Sequence, residues 1–298
     1  MPRISVVVPA HNVAHTLAAT LDSAVRNRAD EIIVVDDVST DATRDVAARV
    51  PGVTVISRQL VGGPAVARNE GLHHASGEYV LFLDGDDELV EGALDALAAG
   101  FADGVVAVMG RFDAVDLEGR PLDIGTWASE QLRPVVRRRG HYVVSPAGFT
   151  SEALVTRLVV PPPSGILIRR DVATGIGGYD ATLGRSEDID FLVRLSRYGN
   201  LVGIDDVVVK YRRAPGQRSQ ATSARQRGRQ RTLAHMVWNA PSRRERWALA
   251  RGAAAHHFDR ASVRWRGATR TVDRVIAVRS WALGIAFRVL GIVAVVAL

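Results

Sequence analysis

The 298-residue sequence predicts an α/β fold, a mostly parallel doubly wound sheet flanked by helices, followed by a basic helical C-terminal extension. Three observations predict it. Short apolar runs alternate with helical stretches over the first 110 residues, and strands separated by helices of that length pair in parallel through right-handed crossovers. Tyr79-Val80-Leu81-Phe82-Leu83 is five consecutive apolar residues, the composition of a strand buried on both faces. The charge is lopsided: residues 1–211 hold 20 basic and 29 acidic side chains, whereas residues 212–270 hold 15 arginines against only Glu245 and Asp259.

Residues 4–9 form the first strand, followed by a loop at Ala10-His11-Asn12 and a helical stretch over about 14–26. Residues 31–35 form a second strand that ends in Asp36-Asp37. Ser39-Thr40-Asp41 then supplies capping oxygens for a helix reaching Val50. A third strand spans 53–57. Gly62-Gly63-Pro64 opens a helix running to His74, and the fourth strand is 79–83. Asp87 or Glu88 is expected to start another helix through Leu97, with a fifth strand over 105–111. Periodicity weakens from 112 to 160. Pro161-Pro162-Pro163-Ser164-Gly165 reads as a stiff extended loop into Ile166-Leu167-Ile168. A glycine-rich loop covers 175–184, Ser186 caps a helix to Tyr198, and a last strand contains 207–209. The domain boundary is placed at 213: 1–110 as a ligand-binding half, 111–213 as a second half, and 214–298 as the extension.

Composition excludes several chemistries. With no cysteine there are no disulfides, thiolate nucleophiles or cysteine-held metal clusters. The first apolar run is too short, and lacks the basic flank, for a secretory signal. An acidic body followed by a basic segment implies an anionic surface for that segment: phospholipid, nucleic acid, or the body itself. Residues 280–298 hold one charge, Arg288, with Trp281 near their start. An interfacial helix preceded by headgroup-binding arginines fits better than a span. The remaining readings are packing on the domain or a dimer contact, so a homo-oligomer is compatible with the sequence.

Three acidic groups fall at strand ends or a helix start: Asp36-Asp37, Asp84-Gly85-Asp86 and Glu187-Asp188. Open α/β sheets bind ligands at the carboxyl ends of their strands. An acidic cluster there repels itself unless a cation sits in it, and Mg²⁺ or Mn²⁺ takes carboxylate oxygens and completes its shell with phosphate oxygens. Taken alone, Asp-Gly-Asp is more often a solvated turn, and Glu187-Asp188 more often N-terminal helix acids. No G-x-G-x-x-G follows the first strand, which argues for a nucleotide diphosphate held through a metal rather than a dinucleotide cofactor.

Five blocks together change that balance. Val-Val-Val-Pro-Ala-His-Asn (6–12), Glu-Ile-Ile-Val-Val-Asp-Asp-Val-Ser-Thr-Asp (31–41), Ala-Arg-Asn-Glu-Gly (67–71), the segment 75–87 and Ser-Glu-Asp-Ile-Asp-Phe-Leu-Val-Arg-Leu (186–195) resemble family 2 glycosyltransferases, in the family's order and spacing. The resemblance covers residues 4 to about 213. It implies a Rossmann-like GT-A fold and metal-dependent, inverting transfer from a nucleotide diphosphate sugar, most often a UDP-sugar. It places Pro9, Ala10 and Asn12 in the nucleobase pocket, with Asp37 on the base and Asp36 on the base or its loop. Arg68 faces the nucleotide or forms a structural ion pair. Asp84, with Gly85 beside it, contacts ribose or sugar, Asp86 holds Mn²⁺ or Mg²⁺, and Asp87 caps the next helix. Asp188 is the catalytic base, assisted by Glu187.

Two departures stand out. Val38 replaces the family's common glycine, and Ala214 stands where many relatives have a metal-reaching histidine, leaving water, His235, His256 or His257 for that place. The implied setting is the cytoplasmic side of the cell membrane, peripherally held, in cell-envelope polysaccharide or glycolipid synthesis. Its acceptor is a saccharide, a lipid-linked saccharide or a small molecule. The competing readings are a catalytically silent scaffold and a nucleic-acid-binding protein. The latter lacks any recognised motif beyond positive charge, so no nucleic-acid partner is expected.

Overall fold

The computed structural model describes residues 2–122, 136–138, 141–145, 161–184, 186–213, 223–266 and 285. Its first half is a parallel sheet. Strands β1 (Ile4–Ala10), β2 (Glu31–Asp36), β3 (Val53–Ser57) and β4 (Tyr79–Phe82) lie in the order β3-β2-β1-β4, all parallel. Alternate residues of a strand point to opposite faces, and β1 shows why an unbroken apolar run was needed. Val6 and Val8 pack with Leu17, Leu21 and Ala24 of α1 (Leu17–Arg26). Val7 packs on the other face with Ala67 and Leu72 of α3 (Pro64–His74). The contact between α3 and β1 is close: a β-carbon on Gly71 would lie 2.2 Å from Val7 Cγ1. The short α2 (Thr43–Ala48) departs from its expected cap and ends before Val50. Its N-cap residue is Ala42, which makes no side-chain capping bond, while Asp41 Oδ1 accepts from Thr43 N–H at 3.0 Å.

The second half of the sheet is mixed. After β5 (Glu88–Leu89), α4 (Ala93–Ala99) and β6 (Val105–Val115), the chain passes β7 (Val136–Arg138) and β8 (His141–Ser145) to a 3₁₀ turn at Pro163–Gly165. Strand β9 (Ile166–Arg169) then inserts antiparallel between β4 and β6. Helices α5 (Arg170–Gly175) and α6 (Glu187–Leu195) lead to β10 (Asn200–Arg212), a longer strand than the 207–209 core expected, running parallel to β6 with register shifts.

One expected element is corrected. The helix assigned to start at Asp87 or Glu88 begins at Ala93, after Gly92 at φ 77°. Glu88–Leu89 instead pairs antiparallel with β10. Asp87 caps nothing: it is fully buried, accepting from Arg212 N–H at 2.9 Å and from the Ser164 hydroxyl at 2.6 Å. Those two bonds pull the segment onto the sheet.

The extension forms α7 (Ser223–Trp238) and α8 (Arg243–Arg266). Leu233, Met236, Val237, Leu249 and Ala250 are buried in the same core as Phe191, Leu192 and Leu195 of α6. Arg197 donates to Glu245 at 2.8 Å across the joint. One face of the basic segment therefore rests on the acidic body. Among the described residues no helix is long and apolar enough to cross a membrane, and the segment 280–298 lies outside them apart from Ile285.

Candidate active site

The site lies at the carboxyl ends of β1, β2 and β4. Past β1, Asn12 adopts φ 54°; its N–H donates to Ser39 Oγ at 3.0 Å, and its Oδ1 accepts from Thr40 N–H at 2.8 Å. Pro9 is half-buried and Ala10 buried. Asp36 Oδ1 accepts from Ser39 N–H at 3.2 Å, the loop-supporting role that was one of its two readings. Asp37 is buried and accepts from Gly63 N–H at 2.6 Å, from Gly62 N–H at 2.9 Å and from the Arg58 guanidinium. These bonds fold the 58–63 loop against the end of β2. Between these loops Val38 stands at φ 60°, a left-handed conformation costly for a β-branched residue.

The acidic turn after β4 is fastened from several sides. Gly85 C=O accepts the hydroxyls of Thr16 at 2.8 Å and Thr20 at 3.1 Å, and a β-carbon on Gly85 would sit 3.0 Å from Val13 Cγ2. Asp84 N–H donates to Ser164 Oγ at 3.1 Å, and the same hydroxyl donates on to Asp87. Arg212 Nε donates to Asp86 C=O at 2.9 Å. Burial first, then the charges of Asp86 and Asp84, push the Asp87 carboxyl well above the usual carboxylate range. Hard oxygen donors and concentrated negative charge fit a divalent cation. Among the described residues no three acidic or histidine side chains converge to hold one unaided. His235, one of the histidines considered for that place, instead faces Asp180 at 3.2 Å.

Arg68 joins the two ends of the site. Its guanidinium is buried, donating from Nη2 to Asp84 at 2.6 Å and from Nη1 to Glu187 at 3.4 Å. Despite burial, those carboxylates hold it charged. Below it Tyr179 lies 5.2 Å from the guanidinium carbon and stacks on Phe191 with centroids 4.1 Å apart. The structural ion pair that was one of the two readings of Arg68 is observed, with Asp84 and Glu187 as its partners.

Glu187 and Asp188 open α6. Ser186 precedes them at φ 61° without a capping side-chain bond, so the expected serine cap is replaced by backbone geometry. Burial, and then the Glu187 charge, push the Asp188 carboxyl above its usual range, against the pull of Arg68. A helix N-terminus alone would hold that carboxyl ionised and weakly basic; the surroundings reverse this.

Sequence reasoning passed over Ser164, Tyr179 and Asn69. Asn69 Nδ2 donates to Tyr179 C=O at 2.8 Å while its Oδ1 accepts from Tyr179 N–H at 2.7 Å. Its place beside Arg68 in Ala-Arg-Asn was the available signal.

Architecture and site define a GT-A fold. Residues 1–349 of S. aureus TarS, solved with UDP-GlcNAc, superpose with a TM-score of 0.66 at 18% identity, over 96% of this chain and 81% of that one. The chain belongs to glycosyl transferase family 2, whose family model matches residues 5–156. A poly(ribitol-phosphate) β-glucosyltransferase of Bacillus spizizenii is 39% identical over 101 residues, 31% of this chain and 16% of that protein. A GalNAc(5)-diNAcBac-PP-undecaprenol β-1,3-glucosyltransferase of Campylobacter jejuni is 37% identical over 118 residues, 37% of this chain and 38% of that protein. The matched stretches thus span well under two thirds of these relatives.

Proposed function

We propose that the protein transfers a sugar from a nucleotide diphosphate sugar, a UDP-sugar first among them, to an acceptor hydroxyl with inversion. The observation that carries this reading is the Arg68 bridge, which ties Asp84 on the donor side to Glu187, next to Asp188 on the acceptor side. Asp188 takes the acceptor hydroxyl's proton as its oxygen bonds to the anomeric carbon. The bond from that carbon to the diphosphate breaks, and its electron pair leaves with the nucleoside diphosphate. One displacement inverts the centre and needs no covalent nucleophile.

Asp86, with Asp84 beside it, would hold Mn²⁺ or Mg²⁺. A bound metal supplies positive charge to the diphosphate. A metal shared with substrate phosphates needs only one or two protein carboxylates, which is the donor set this turn offers. Pro9, Ala10 and Asn12 line the base pocket, with Asp37 holding its wall. We assign 1–213 to the transferase domain and 214–298 to the extension. Relatives that act on poly(ribitol-phosphate) and on an undecaprenol-linked saccharide support a cell-envelope polysaccharide or glycolipid acceptor. A peripheral position at the cytoplasmic face of the membrane is part of the proposal and rests on the basic extension and the apolar segment 280–298.

The test is calorimetric titration with UDP-, GDP- and dTDP-sugars, with and without Mn²⁺, on the wild type and Asp86→Ala. Metal-dependent binding of the UDP class, lost in the variant, is expected. Absence of binding by all three with metal present overturns the reading in favour of a silent scaffold.

A further inference from the structure

The elbow between α7 and α8 exposes two tryptophans. Trp238, the last residue of α7, is 74% exposed, and Trp247, four residues or about 6 Å into α8, is 45% exposed. The opposite face of the hairpin carries its apolar side chains into the core, so neither indole is there to pack the domain. The frame around them is cationic. Arg231, Arg243, Arg244 and Arg251 are exposed, and the Arg251 guanidinium carbon lies 4.5 Å from the Trp247 ring centroid. Glu245 is the sole acid between residues 212 and 258, and it is turned inward onto Arg197.

We propose that this elbow docks on an anionic phospholipid bilayer. The indoles enter the headgroup layer, where an apolar ring and a polar N–H are both accommodated. The arginines meet lipid phosphates. A single-stranded nucleic acid also offers phosphates and stacking partners. The lipid is favoured because the same extension continues into residues 280–298, with one charge in 19 positions. The inference deepens the peripheral-membrane reading above, and it names the surface that makes the contact.

The experiment is flotation of the full-length protein with phosphatidylglycerol–phosphatidylcholine vesicles and with pure phosphatidylcholine, alongside binding to poly(U). The wild type is expected to float with the anionic vesicles only, with a blue shift of tryptophan emission. Trp238→Ala/Trp247→Ala should partition about tenfold or more weakly, as expected when two indoles lose their lipid contacts. The blue shift should shrink with it, leaving the share that Trp281 contributes. Arg231→Glu/Arg243→Glu should lose the preference for anionic lipid. Both variants alter exposed positions, and an unchanged melting temperature confirms their folding. Flotation unchanged in the tryptophan variant, no flotation of the wild type, or tighter binding to poly(U) than to vesicles overturns the proposal. Nucleotide-sugar titration of the same samples separates this failure from failure of the transferase reading, because neither pair touches the donor site.

Discussion

At the scale of single residues, the proposal that Asp188 is the base predicts the pH behaviour of transfer. A base works ionised, so the upward push on this carboxyl's pKa should place the acidic limb of the rate profile above the ordinary carboxylate range. Removing the like charge in Glu187→Gln lowers that pKa, so the acidic limb should move to lower pH; an unmoved limb assigns the titration to another group. Asp188→Asn should cut turnover by about a hundred- to ten-thousand-fold while leaving donor affinity intact, as loss of a general base does. Val38→Gly relieves a left-handed valine whose cost is about 1–2 kcal/mol, partly offset by glycine's chain entropy. A higher urea midpoint with an unchanged slope is the expected result. The pairs Asp36-Asp37 and Glu187-Asp188 were legible because carboxylates at strand ends and helix starts carry their position in the sequence. Asp87 was not legible. Nothing local distinguishes a capping aspartate from one pulled inward by Ser164 and Arg212, 77 and 125 residues away.

Among the elements, the loop before α6 depends on α3. Asn69 pairs both backbone groups of Tyr179, acting as a short surrogate strand, and a β-carbon on Gly178 would fall 2.3 Å from its Oδ1. Asn69→Ala should destabilise by about 1–3 kcal/mol, the cost of leaving such groups without partners. It should also reduce turnover, because Tyr179 supports the Arg68 guanidinium. A thermal melt and a rate measurement on one preparation check both. The parallel half of the sheet could be read from its apolar runs. The insertion of β9 could not, since an apolar run reports burial and not direction. The contact with β4 and β6 is fixed by pairing between residues roughly 60 to 90 positions apart in sequence.

For the whole molecule, the described part of the extension, α7 and α8, belongs to the folded body. Its composition, dominated by arginine and alanine, hides the apolar stripe that Leu233, Met236, Val237 and Leu249 make on one side. Burying each such side chain contributes about 1.5–3 kcal/mol, against a domain stability of about 5–15 kcal/mol. A chain ending at Arg213 should therefore lose its cooperative melt or aggregate; an equally stable truncated form would show that the helices are accessory. The join has a consequence for how such enzymes can be recombined. The helix bearing the proposed catalytic pair shares one apolar core with α7 and α8, through Phe191 and Leu192. A chimera that borrows a relative's tail should therefore need the matching face of α6 as well, and exchanging the tail alone should leave Phe191 and Leu192 facing a surface that does not fit them.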